Sequence, residues 1–198
     1  AGVAVLAVVG VGLAAVGRRW PALVIAVVAL AVALIVVWIP RNLQTAARSV
    51  PPIHDISTDT ENPPAFVAIA ERRRGAPNPA AYDGPEVAAQ QKQGYPDLGP
   101  LTLPAPTDRA LAAAEAAARK LGWEIVAVVP AEGRLEATAT TPWFGFKDDV
   151  VVRFTPAGTG SRVDVRSKSR VGRSDLGANA KRIRAFLAEL SARLSTAA

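Results

Sequence analysis

The chain has 198 residues, half of them hydrophobic, and a net charge of +6 from 23 basic and 17 acidic side chains. That length fits one domain with an appendage. With no Cys and a single His, the composition excludes a disulfide framework and leaves too few nitrogen and sulfur ligands for a zinc-type centre.

The hydrophobic excess sits at the start. Ala1–Gly17 has no polar side chain, and after Arg18-Arg19-Trp20-Pro21 the run Ala22–Ile39 is again uncharged. About 18 apolar residues suffice to cross a bilayer core. Trp20 and Trp38 stand at the two ends of the second run, where indole rings favour the headgroup level. The pattern predicts a transmembrane helical hairpin: a span over 1–17 (the remainder of a longer one), a tight loop over 18–21, a second span over 22–39 and a linker over 40–52. A signal peptide would be followed by a polar mature chain, and here a second apolar run follows instead. Arg18 and Arg19 favour a cytoplasmic turn, whereas Arg41 and Arg48 argue the other way. The expected location is the inner (cytoplasmic) membrane, with a soluble domain over 53–195 on the extracytoplasmic side.

From Val50 to Thr107, prolines are too closely spaced for long helices or central strands. One short helix is predicted at Pro64–Arg73. The rest is expected to be ordered coil, anchored by Ile53, Ile56, Phe66, Val67, Ile69, Tyr82 and Tyr95. Thr107–Leu121 then reads as a helix stopped by Gly122, and Trp123–Val129 as a strand. Arg134–Thr141, Asp148–Thr155 and Ser161–Ser169 each alternate. Leu135, Ala137, Val150, Val152, Phe154, Val163 and Val165 fall on the inward side. Glu136, Thr138, Arg162, Asp164, Arg166 and Lys168 fall on the other, which is expected to meet solvent. Gly158 and Gly160 mark a hairpin turn rather than a phosphate-binding loop, since no helix follows. A last helix covers Leu176–Leu194, with Ile183, Phe186, Leu187, Leu190 and Leu194 on one stripe. The expected fold is therefore α+β: a four-stranded antiparallel meander flanked by two helices, preceded by Pro-rich coil and the membrane hairpin.

Three stretches are similar to a bacterial and plant family catalogued as domain of unknown function 1499. They are Ile53-His-Asp-Ile-Ser-Thr-Asp59 with Asn62-Pro-Pro-Ala-Phe66, Thr141-Pro-Trp-Phe-Gly-Phe-Lys-Asp-Asp-Val150, and Ser167–Asn179 leading into Lys181–Phe186. The resemblance spans about residues 50–190. It implies membrane segments ahead of the domain and brings no catalytic residue with it.

His54, Asp55 and Ser57 are the residue types of a hydrolase or lyase site, but sequence neighbours rarely meet in triad geometry and no Gly-x-Ser-x-Gly elbow is present. Turn-forming side chains are the expected role of this segment. Neither an EF-hand loop nor any cofactor signature occurs, so no metal and no cofactor are expected. Asn179 and Arg182 lie one helical turn apart near the start of the last helix. They either form an anion pocket or pin the preceding loop.

Residues 161–198 carry nine basic and three acidic side chains, +6, whereas residues 50–160 carry ten and fourteen, −4. Arg162, Arg166, Lys168, Arg170 and Arg173, with Asn179 and Arg182, make the candidate surface for anionic headgroups or an acidic envelope partner. Nucleic acid is not expected, because no aromatic stacking platform interleaves the basic residues. Trp143, Phe144 and Phe146 form an apolar turn expected to be buried; exposed, it would be a membrane-dipping or partner-binding tip. The resulting expectation is a membrane-anchored, non-catalytic interaction or accessory domain.

Overall fold

In the computed structural model, residues 20–142 and 144–196 are described. The chain divides into two compact units, residues 1–49 and 50–198. The span expected over 1–17, together with Arg18, Arg19 and Trp143, lies outside the described residues, so the hairpin itself is not seen.

In the first unit, helix α1 runs from Trp20 to Arg48. Its segment Leu23–Asn42 is long and apolar enough to cross a membrane, by length and composition. Valine, isoleucine and tryptophan side chains along it are exposed. Trp20 and Pro21 belong to the first helical turn rather than to a loop, and the helix continues through Pro40 beyond Ile39. Near its end, Thr45 Oγ1 donates to the Arg41 carbonyl at 2.9 Å and the Ser49 amide donates to the Thr45 carbonyl at 3.1 Å.

The second unit is α+β. In chain order it contains β1 (Asp55–Ser57), α2 (Ala68–Arg72), α3 (Pro85–Gly94), β2 (Leu101–Leu103) and α4 (Thr107–Lys120). These are followed by β3 (Glu124–Val129), β4 (Arg134–Thr140), β5 (Lys147–Ala157), β6 (Gly160–Ser169) and α5 (Ala178–Thr196). The sheet has six strands in the order β1-β6-β5-β4-β3, with β2 also pairing β6. All pairs are antiparallel. The expected meander is β3–β6. The two additional strands are three residues each and share the outer edge of β6, β1 opposite 166–168 and β2 opposite 161–163.

Helices α4 and α5 cover one face. The stripe Ala110, Leu111, Ala114, Ala117 and Ala118 is buried, and its small side chains let α4 approach the sheet closely. Ile183, Phe186, Leu190 and Leu194 anchor α5, with Phe186 stacked on Trp123 at 5.2 Å between ring centroids. Beneath them lie Leu135, Ala137, Val150, Val152, Phe154, Val163 and Val165, as the alternation predicts. Each large side chain buried here stabilises the fold by about 1.5–3 kcal/mol.

The other face departs from expectation. Glu136, Thr138, Asp164, Arg166 and Lys168 do point away from the valines, but all are buried. Alternation separates two faces without saying which is wet. Here the Pro-rich segment, with α2, lies over the second face. Phe66 and Ile69 pack on Val151 in a small core of their own. At the free edge of β1 the Gln91 side chain replaces a further strand. Its Oε1 accepts from the Ser57 amide at 2.9 Å, and its Nε2 donates to the Ser57 carbonyl at 2.6 Å.

Candidate functional site

Two regions concentrate chemistry: the charged layer under the Pro-rich segment, and the end of the sheet where the β4–β5 turn meets the β6–α5 loop.

In the charged layer, Arg166 donates from Nε to Asp55 Oδ1 and from Nη2 to Asp55 Oδ2, both at 2.8 Å. It also donates to the carbonyls of Pro64, Ala80 and Ala81 at 3.3, 3.1 and 2.9 Å. Its guanidinium lies 4.8 Å from the Phe66 ring centroid and 5.3 Å from that of Tyr82. Lys168 Nζ donates to the Ala81 carbonyl at 2.7 Å and to Asp83 Oδ1 at 2.5 Å, and stands 3.3 Å from Asp55 Oδ2. Only 2% of Arg166 and none of Lys168 is exposed. Beside them, Asp149 accepts from Arg73, Arg170 and Thr138 at 2.8–2.9 Å. Arg153 and the half-exposed Arg162 share Asp59 and Asp164. Burial, then the negative charge of Asp55, pushes the Tyr82 hydroxyl up to about 12. Burial draws Arg73 below its ordinary value, with Asp149 opposing.

This arrangement corrects the picture of a solvated basic stripe. Arg166 and Lys168 spend their charge on Asp55 and Asp83, and Arg170 on Asp149, so the strand offers no open row of cations. Arg173 alone of that set is fully on the surface. The partners Asp83 and Arg73 lie in the coil and at the end of α2, and sequence inspection did not single them out. The signal was the opposite charge of the two halves, which meet here.

His54, Asp55 and Ser57 are not assembled into a triad. Asp55 serves Arg166 and Lys168, and Ser57 Oγ donates to the Asp59 carbonyl at 2.8 Å. His54 Nε2 lies 3.1 Å from Asp83 Oδ2, and its Nδ1 is 3.4 Å from the Arg173 carbonyl. Among the described residues, base and orienting carboxylate are therefore present without a nucleophile bonded to the base. Among the described residues, no group of three or more His, Cys, Asp or Glu is placed to hold a metal ion.

At the start of α5, Asp175 caps the helix. Its oxygens accept from the amides of Gly177 and Asn179 at 2.8 and 2.9 Å. Burial raises the Asp175 carboxyl above the usual range, opposed by those amide bonds. Asn179 Nδ2 donates to the His54 carbonyl and to Ser169 Oγ, both at 3.0 Å. Arg182 donates to Asp148 Oδ2 at 2.6 Å and to Ser167 Oγ at 3.1 Å. Asn179 thus bonds to the end of β6 at Ser169, whereas Arg182 ties α5 to β5 and β6 through Asp148 and Ser167. The anion that Arg182 meets is Asp148.

The turn after β4 stands out from the domain, against the expectation of burial. Phe144 is 80% exposed and Phe146 51%, their rings stacked at 5.6 Å. Gly145, at φ +64°, makes the turn, and the Phe146 amide donates to Thr141 Oγ1 at 2.9 Å. Phe146 shares the lining of a cavity of about 200 Å³ with Val171, Asp175 and Leu176. Val171 and Leu176 are exposed, and Leu176 adopts a left-handed φ of +53° that L residues rarely take. Two larger hollows, about 540 Å³ beside α3 and about 420 Å³ between β2 and α5, bring together no catalytic set.

The three stretches that carry the family resemblance converge at this end. The His54 carbonyl accepts from the Ser169 amide at 3.0 Å and from Asn179, and the Arg170 amide donates to the Lys147 carbonyl at 3.0 Å. A sequence profile of the family described as "Protein of unknown function (DUF1499)" matches residues 55–190. The chain belongs to this family. Among curated proteins none matches it. Among solved structures it is similar to Ara h 8.0201, with 15% identity and a TM-score of 0.37 over 48% of this chain and 95% of that one. It is likewise similar to TTHA0849 from Thermus thermophilus, with 15% identity and a TM-score of 0.33 over 50% and 97% of the two chains.

Proposed function

We propose that this member of the family is a membrane-anchored, non-catalytic interaction domain of the cell envelope, held in the inner membrane by α1 with residues 50–198 on the extracytoplasmic side. The observation that carries the anchoring is the segment Leu23–Asn42, whose apolar side chains are exposed along a helix of sufficient length. A binding role is favoured over a catalytic one by how the charges are used. The cations that could have formed an anion pocket are matched by internal carboxylates, and among the described residues His54 bonds to Asp83 and the Arg173 carbonyl rather than to a nucleophile. What remains free for contact is surface.

Carbonate washing of membranes bearing the full chain tests the anchor: the protein stays in the pellet. Reporter fusions at the C-terminus test the side: an alkaline phosphatase fusion is active and a green fluorescent protein fusion is dark. Release by carbonate would overturn the anchor, and the opposite reporter pattern would overturn the sidedness.

A further inference from the structure

We propose that the Phe144–Phe146 turn and the Val171–Leu176 loop together dock on the anionic surface of the bilayer that holds α1. This deepens the anchoring reading and rests on it.

Three observations converge. The first is shape. Phe144, Phe146, Val171 and Leu176 are all exposed at one end of the sheet, and the last three line one hollow. The ends of the aromatic turn are tied by main-chain hydrogen bonds: the Thr141 amide donates to the Phe146 carbonyl at 2.9 Å and the Gly145 amide to the Thr141 carbonyl at 3.1 Å. Preformed aromatic tips insert into the headgroup boundary with little ordering loss, and exposed apolar patches of this kind mark membrane or protein contacts.

The second is charge. Lys147 and Arg173 flank the tip and are exposed. Of the acids in the same segments, Asp148 is buried and paired with Arg182, and Asp175, partly buried where it lines the hollow, accepts from the amides of Gly177 and Asn179. Exposed aromatic residues rimmed by exposed cations complement an anionic leaflet.

The third is reach. Val50 is the first residue of the domain, and a Cβ at Gly177 would lie 3.4 Å from Val50 Cγ1. The domain is therefore entered beside the loop that bears Leu176. From Asn42 the chain is helical to Arg48, at about 1.5 Å per residue, and two more residues reach Val50. With about 3.6 Å for each extended residue, Val50 lies within roughly 16 Å of the end of the apolar segment. The loop that bears Leu176 is thus joined to the apolar segment by a short connection.

The chain lacks Cys, so single labelling sites carry no background. Ser174→Cys carries an environment-sensitive fluorophore beside Leu176 while leaving the aromatic turn intact. Thr159→Cys, in the exposed β5–β6 turn at the far end of the 11-residue β5, is the control. Both full-length proteins are reconstituted in vesicles of phosphatidylcholine alone or with 30% phosphatidylglycerol, and quenching by shallow nitroxide lipids is measured. Quenching at 174 is expected to exceed that at 159 at least threefold in anionic vesicles. It should fall to the control level with F144A/F146A, and at least twofold with K147A/R173A or without phosphatidylglycerol. Retention in vesicles with equal quenching at 174 and 159 would overturn the docking and leave the anchor standing, as would a protein partner or second copy covering the tip. Quenching indifferent to lipid charge and to K147A/R173A would overturn the anionic surface. Failure of the chain to stay in vesicles washed with carbonate would remove the anchor itself and the docking with it.

Discussion

At the scale of single residues, what distinguishes this domain is how Arg166 is used. A buried guanidinium requires both a counter-charge and partners for its remaining N–H groups. Arg166 finds Asp55 bidentately, three main-chain carbonyls and two aromatic faces. Lysine preserves the charge but not the planar fork, so Arg166→Lys is not conservative here. The expected loss is about 3 kcal/mol or more, since hydrogen bonds to charged groups contribute about 1.5–3 kcal/mol each. For a domain of this size that is roughly a 6–12 °C fall in melting temperature. Arg162→Lys, at a half-exposed pair, should change stability by no more than about 1 kcal/mol. Thermal unfolding of the full chain in detergent, followed by near-ultraviolet circular dichroism, compares the two. Equal shifts would show that Arg166 is an ordinary surface-type pair.

At the scale of elements, helix α2 shows why parts of the fold were legible in the sequence and parts were not. The strands of the meander and helices α4 and α5 announce themselves by alternation or by a helical stripe, because each buries one face over many residues. A five-residue helix does neither: the sequence predicts a helix over Pro64–Arg73, but only Ala68–Arg72 is helical, a length too short to persist alone. It exists because Glu136, from the middle of β4, accepts from the amides of Val67, Ala68 and Ile69 at 2.8–3.2 Å and also receives Arg134. No local pattern encodes a contact across 67–69 residues. The same holds for β1, β2 and α3, whose register depends on β6 or on Gln91 rather than on their own periodicity. Glu136→Gln keeps the shape but turns an amide donor toward helix amides that need an acceptor. It should lower stability by about 2–4 kcal/mol. In hydrogen exchange, protection of the amides at 67–69 should vanish while that of β5 and β6 persists. Retained protection at 67–69 would mean that Phe66 and Ile69, packed on Val151, hold α2 without the carboxylate.

At the scale of the whole molecule, the opposite charges of the two parts of the domain are a folding complementarity rather than a field aimed at a partner. Asp55, Asp59, Asp83, Asp97, Asp148 and Asp149 all come from the acidic portion. They pair with Arg166, Arg162, Lys168, Arg184, Arg182 and Arg170 from the basic one. Among the described residues, both apolar cores likewise draw on residues from Val50 onward. Neither the charge layer nor the cores thus requires α1, and a chain beginning at Val50 should fold alone. The expectation is a water-soluble monomer with one cooperative thermal transition, and a near-ultraviolet signal from Trp123 stacked on Phe186 equal to that of the full chain. Its buried pairs are shielded from counterions, so moving from about 0.05 to about 1 M NaCl should shift the transition by only a few degrees. Aggregation of this fragment, or a near-ultraviolet signal that appears only when residues 20–48 are attached, would show that the domain depends on its anchor for folding and not merely for location.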